Sequence, residues 1–165
     1  MRKYPLVLSV AALLVALDQL TKWYIRRTMN LYESIAVIDS LFHITHVHNS
    51  GGAFGLFAGG SAALRVPFFL AMSSVAVVAL LFFVRRVEPG NRWLLFALGS
   101  ILGGALGNLI DRMVAGGVTD FLDFHWHGYY WPAFNVADSC ITTGMLILLA
   151  HSLFVHDETG ERQAI

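Results

Sequence analysis

Three aspartates, Asp120, Asp123 and Asp138, fall in the stretch GGVTDFLDFHWHGYYWPAFNVADS that spans residues 116–139. Asp138 stands at the start of a long apolar run, and ionisable groups beside lipid-length helices usually mark a working site. Two carboxylates brought close in a low-dielectric site cannot both ionise cheaply, so one keeps a proton while the other does not. The charged one can deprotonate a water and the protonated one can donate to a carbonyl oxygen or a leaving nitrogen. That chemistry is peptide hydrolysis without a covalent intermediate. Asp120 and Asp138 are the favoured pair, and Asp123, three residues after Asp120, is the rival member. The competing structural explanation is that these aspartates cap the start of the helix that follows.

Other polar residues lie where apolar ones would be expected. Asp18 and Lys22 are four apart and share a helix face, a self-neutralising pair that makes burial tolerable. Asn108, Asp111 and Arg112 have helical spacing too, and the guanidinium fork of Arg112 suits a carbonyl or a carboxylate. Asn135 precedes Asp138 by three residues. His43, His46 and His48 cluster, as do His125 and His127, but there is no HExxH, and alternating histidines on a strand do not converge. No metal site and no cofactor are expected.

The elements that must position these groups are membrane spans. The chain has 165 residues, of which 56% are hydrophobic and only 13% charged, with net charge zero. Soluble domains average about 25% charged residues. No basic block calls for nucleic acid, and the single cysteine, Cys140, permits no internal disulfide. Four segments approach the roughly 20 apolar residues needed to cross a bilayer, at about 5–25, 66–84, 93–113 and 136–155. The first follows Arg2 and Lys3 and continues through Trp23-Tyr24-Ile25 without a small-x-small site, so it reads as a retained span. Arg2, Lys3, Arg85, Arg86, Arg92 and Arg162 gather on one side, against Arg26, Arg27, Arg65 and Arg112 on the other. Both termini are therefore expected in the cytoplasm, with 26–65 and 114–135 outside it and one membrane domain over 1–165.

That orientation puts Asp18, Lys22, Asn108, Asp111, Asn135 and Asp138 in a single leaflet, the outer one. The 41–48 run reads as a strand, the Asn49-Ser-Gly-Gly-Ala-Phe54 segment as a turn, and Phe54-Gly-Leu-Phe57 as a membrane-surface piece. A small extracytoplasmic sheet is expected. Gly99, Gly103 and Gly107, at four-residue spacing, allow close helix packing in lipid.

Five motifs in order resemble the bacterial lipoprotein signal peptidase (signal peptidase II) family over almost the whole chain. They are Asp18-Gln-Leu-Thr-Lys22, Asn49-Ser-Gly-Gly-Ala-Phe54, Gly103-Gly-Ala-Leu-Gly-Asn108-Leu-Ile-Asp111-Arg112, Val118-Thr-Asp120-Phe and Phe134-Asn135-Val-Ala-Asp138. The resemblance implies an intramembrane aspartic endopeptidase that cuts signal peptides from prolipoproteins, just before a cysteine carrying diacylglycerol. It implies Asp120 and Asp138 as the catalytic dyad, in place of Asp123. Asn49, Gly51, Asn108, Arg112 and Asn135 match positions that line the site or orient substrate, and Asp18, Lys22 and Asp111 match structural supports. One departure is Gly52, where alanine is common in that turn. A monomer in the inner membrane is expected, with prolipoproteins and membrane lipid as partners. A proton-coupled carrier and a non-catalytic assembly protein are the competing functions.

Overall fold

The computed structural model describes residues 3–51 and 62–161. In it, α1 (Lys3–Thr28), α2 (Ala62–Val84), α3 (Arg92–Ala115) and α4 (Val136–Glu161) surround one core. Each contains a segment long and apolar enough to cross a membrane. The helices run a few residues past the apolar limits, and at α3 the caps that set the ends are visible. Asn91 opens α3 by accepting the Leu94 N–H at 3.1 Å, and Gly116 closes it in the left-handed region, φ 70°, giving its N–H to the Arg112 carbonyl, as such a cap does.

The expected strand is present as β2 (Phe42–Asn49), and it has more company than the sequence suggested. β1 (Ser34–Ile38), β2, β3 (Val118–Trp126) and β4 (Tyr129–Phe134) form one antiparallel sheet in chain order. Asp120 therefore stands on a strand, not in a loop, opposite Val47. The β3–β4 turn is His127-Gly128, with φ of 47° and 84°, the pair of positive values that a two-residue hairpin turn requires. Residues 52–57, with Gly52 and the expected surface segment, lie outside the described residues.

The central helix is α3, packed between α1 and α4. The glycine stripe does what its spacing suggests. A Cβ at Gly99 would meet Val10, one at Gly103 the Ala11 carbonyl, and one at Gly107 the Asp18 carboxylate 2.5 Å away. Gly104 faces α4 so closely that a Cβ would press on the Ala137 carbonyl oxygen. Backbone there cannot yield without moving Asp138, so Gly104→Ala is expected to cost about 1–3 kcal/mol. It should lower activity with it, as thermal melts and cleavage assays in detergent would show.

Away from the sheet the core is apolar: Val7, Ala11, Val84, Val87, Leu95, Leu98 and Leu102 are buried together. At the sheet end, Phe121 of β3 packs on Ile25 and Met29 at the end of α1. This contact fixes the strand that carries Asp120.

Candidate active site

The start of α4 is built by a reciprocal pair. Asn135 Oδ1 accepts the Asp138 N–H at 3.0 Å, and the Asp138 carboxylate accepts the Asn135 N–H at 3.3 Å. This is the N-terminal capping arrangement of helices, with aspartate as the fourth residue. Capping thus leaves the second carboxylate oxygen of Asp138, Oδ1, to face Asn108. Asn135 also reaches sideways: its Nδ2 donates to Asp120 Oδ1 at 2.6 Å. One asparagine side chain joins the two aspartates that the sequence analysis paired.

Around them the other named residues converge. Asn49 Nδ2 donates to Asp120 Oδ2 at 3.0 Å, and the Gly51 N–H holds Asn49 Oδ1 at 3.0 Å. Asn108 Nδ2 donates to Asp138 Oδ1 at 2.8 Å. Arg112 gives Nη1 to the Asn108 carbonyl at 3.3 Å and lies over the Phe69 ring. Asn49, Asn108, Arg112, Asp120 and Asp138 line one cavity of about 650 Å³, bounded by Trp131 to Phe134 on the sheet side and by Ser139, Ile141, Thr142 and Thr143 on α4. Asp123 does not line it. Its carboxylate takes Thr45 Oγ1 at 3.4 Å and lies 3.1 Å from His125 Nε2. His43, His46 and His48 lie on β2 and His125 on β3; the His43 and His125 rings meet tilted at 51° with centroids 4.5 Å apart, and His46 Nδ1 pairs with the Met29 carbonyl.

Beneath the cavity lies the ionic network. Lys22, fully buried, spends its ammonium on Asp18 Oδ2 (2.9 Å), Asp111 Oδ2 (3.2 Å) and Asn108 Oδ1 (2.9 Å). Each of those carboxylates also holds a backbone N–H next to Asp138 or Asp120. Asp18 Oδ1 accepts from Ala137, and Asp111 Oδ2 accepts from Thr119. Sequence reasoning missed three further members. Gln19 Nε2 bonds Asp18, Asp111 and the Gly107 carbonyl, while Arg26 Nη1 reaches Asp111 Oδ1 and Thr119 Oγ1. Asp18, Lys22 and Arg26 recur every four residues, and that periodicity was the available signal for Arg26.

Burial also acts on the Asp120 carboxyl. Desolvation with the charge of Asp138 pushes it from 3.8 up to about 7, against the pull of Asn49, Asn135 and Lys22. A carboxylic acid half-protonated near neutrality, next to a second carboxylate and a cavity, can exchange protons with a substrate.

A family model described as Signal peptidase (SPase) II matches residues 10–154. The chain belongs to the signal peptidase II family. Relatives named lipoprotein signal peptidase include one from Desulforapulum autotrophicum, 50% identical over 88% of this chain and 90% of its own. Another, from Pseudomonas aeruginosa, is 42% identical over 93% of this chain and 90% of its own. The fold agrees: a bacterial membrane enzyme solved by the in meso method at 2.3 Å aligns with TM-score 0.80, 34% identity, and coverage of 89% of this chain and 87% of that one. In signal peptidase II terms the chain is a peptidase, and the polar centre described above lies within the matched region.

Proposed function

We propose that this chain is an intramembrane aspartic endopeptidase that removes signal peptides from prolipoproteins, cutting before a diacylglyceryl-modified cysteine. One observation carries this reading: Asp120 and Asp138, from a strand and a helix far apart in sequence, line a single cavity and share Asn135. Asp138 acts as base and draws a proton from water as its oxygen attacks the scissile carbonyl. Asp120 gives its proton to that carbonyl oxygen. Asp138 then passes its proton to the departing cysteine nitrogen, the C–N bond breaks, and Asp120 recovers a proton from the collapsing diol. Asn49, Gly51, Asn108, Arg112 and Asn135 orient the substrate and the dyad, while Asp18, Lys22 and Asp111 support them from below.

The chain forms one membrane domain in the bacterial inner membrane. Its termini are cytoplasmic, and its sheet and cavity lie near the periplasmic surface. The charge bias of the turns supports this orientation. The exposed aromatics Trp126, Tyr129, Tyr130 and Trp131 at the hairpin support a sheet at the headgroup level, which such side chains favour at either surface. A lipidated cysteine sits at that same level, and the protein works as a monomer. Segments around Asn49 and Trp126 close over the peptide and limit water access; identical protease sensitivity with and without a substrate mimic would contradict closure.

The test uses purified protein with one precursor prepared with and without diacylglycerol. Cleavage of the modified form before its cysteine, and not of the unmodified form, is expected. Proton or solute flux in vesicles with no cleavage would favour the carrier instead. Against a carrier stands the apolar packing, among the described residues, of Val7, Leu95, Leu98 and Leu102 below the network, which is costly for an ion to cross.

The pH dependence follows from Asp120. The reaction needs its proton, and the free enzyme loses that proton as pH rises through about 7. The rate constant kcat/KM should fall on the alkaline side, near tenfold per pH unit once well past that value. In kcat the limb should move upward, since bound substrate excludes more water. A rate unchanged from pH 6 to pH 10 would rule out Asp120 as the acid.

A further inference from the structure

The three asparagines at the dyad share a feature beyond contact: each has its carbonyl oxygen already held, so that its NH2 faces a carboxylate. For Asn49 the holder is the Gly51 N–H, and for Asn135 it is the Asp138 N–H. Both belong to the local backbone turn. Asn108 differs, because its oxygen is held from another helix by the ammonium of Lys22 at 2.9 Å. An amide can present either end. If Asn108 turned over, its oxygen would face Asp138 and repel the carboxylate that it now stabilises.

Lys22 is built to prevent that turn. Its three N–H donors meet three acceptors, Asp18, Asp111 and Asn108, with no exposure to solvent. The two carboxylates are fixed in turn by the N–H groups of Ala137 and Thr119, the residues just before Asp138 and Asp120. The cation is thus referenced to the backbone on both sides of the site and transmits that reference to one amide.

We propose that Lys22 is a positioning residue for the peptidase reaction: it holds the Asn108 amide with its NH2 end on Asp138, and so keeps Asp138 the acceptor carboxylate that draws the proton from water. The inference rests on the dyad reading above and gives Lys22 a part in turnover in addition to its support of the fold. Charge alone does not account for this arrangement, since Asp18 and Asp111 would be neutralised equally well without any bond to Asn108.

A double-mutant cycle separates the two roles. Lys22→Met and Asn108→Ala are made singly and together, and kcat and KM are measured on the lipid-modified precursor. The same cycle is run on an Asp18→Asn background. There, removing the cation leaves Asp111 as the remaining carboxylate partner, and Asp111 keeps Arg26 at 3.4 Å, so folding does not depend on Lys22 alone. Each single change should lower kcat by about 100-fold and move KM by less than about 3-fold. The pair should lose no more than about 3-fold beyond the larger single loss, because both remove one oriented donor. Losses that multiply, or that appear in KM, would overturn the positioning role and leave Lys22 a structural cation. A wild-type protein inert toward the precursor would instead sink the peptidase reading itself.

Discussion

Asp120→Asn and Asp138→Asn should each slow cleavage of a lipid-modified precursor by about 10³- to 10⁴-fold, with little change in the far-UV spectrum or in membrane insertion. The doubly substituted protein should be no slower than the worse single variant, because two groups that handle one water fail together. Asp123→Asn is the matched control. Its carboxylate belongs to the Thr45–His125 cluster away from the cavity, so its effect should stay within a few fold. A structural role for the pair predicts the reverse order, with loss of folded protein preceding loss of rate.

The raised value at Asp120 makes folding stability depend on pH. In the unfolded chain an aspartate titrates near 3.9, whereas in the fold Asp120 titrates near 7. Between those values the folded state binds the extra proton. The stabilisation that this brings is complete below the lower value and is lost as pH rises through about 7. Thermal stability in wild type should therefore decline from pH 4 to pH 7 on account of this group, and Asp120→Asn should flatten that part of the curve.

The second large effect belongs to Asn135. Its side chain caps α4 through the Asp138 N–H and steers Asp120 through a 2.6 Å bond, so Asn135→Ala removes both. The lost cap should cost about 1 kcal/mol of stability, and the lost donor should cost about 100-fold or more in kcat. Asn135→Ser separates the two, since a hydroxyl accepts from a nearby backbone N–H and cannot extend to Asp120. Stability should return with serine while the rate stays low. If serine restored the rate as well, the bond to Asp120 would have no part in turnover.

Much of this site was legible before any coordinates. Lipid-length spans are set by local composition, and the four-residue spacings of Asp18 with Lys22 and of Gly99, Gly103 and Gly107 are set by helical geometry. Those features survive folding unchanged. The capping of α4 was legible as well, although capping and function were set against each other, and the reciprocal Asn135–Asp138 cap leaves room for both. What the sequence hid was tertiary. Gln19 and Thr119 gain meaning only when α1, α3 and β3 meet at Asp111. The β3–β4 hairpin had a readable turn, His127-Gly128 between two aromatic runs, but its pairing with β2 depends on residues distant in the chain. No local pattern could show that Asn135 would reach both aspartates at once.

In the proposed reaction two carboxylates direct one water onto the scissile bond, and no acyl group is attached to the enzyme. The most direct measurement is single-turnover cleavage of the lipid-modified precursor in ¹⁸O-water containing an added amine nucleophile, with the released signal peptide weighed by mass spectrometry. One ¹⁸O in its new carboxylate, and no amide with the added amine, is the expected result. Transfer of the peptide to the amine would reveal a covalent intermediate and contradict the roles given to Asp120 and Asp138.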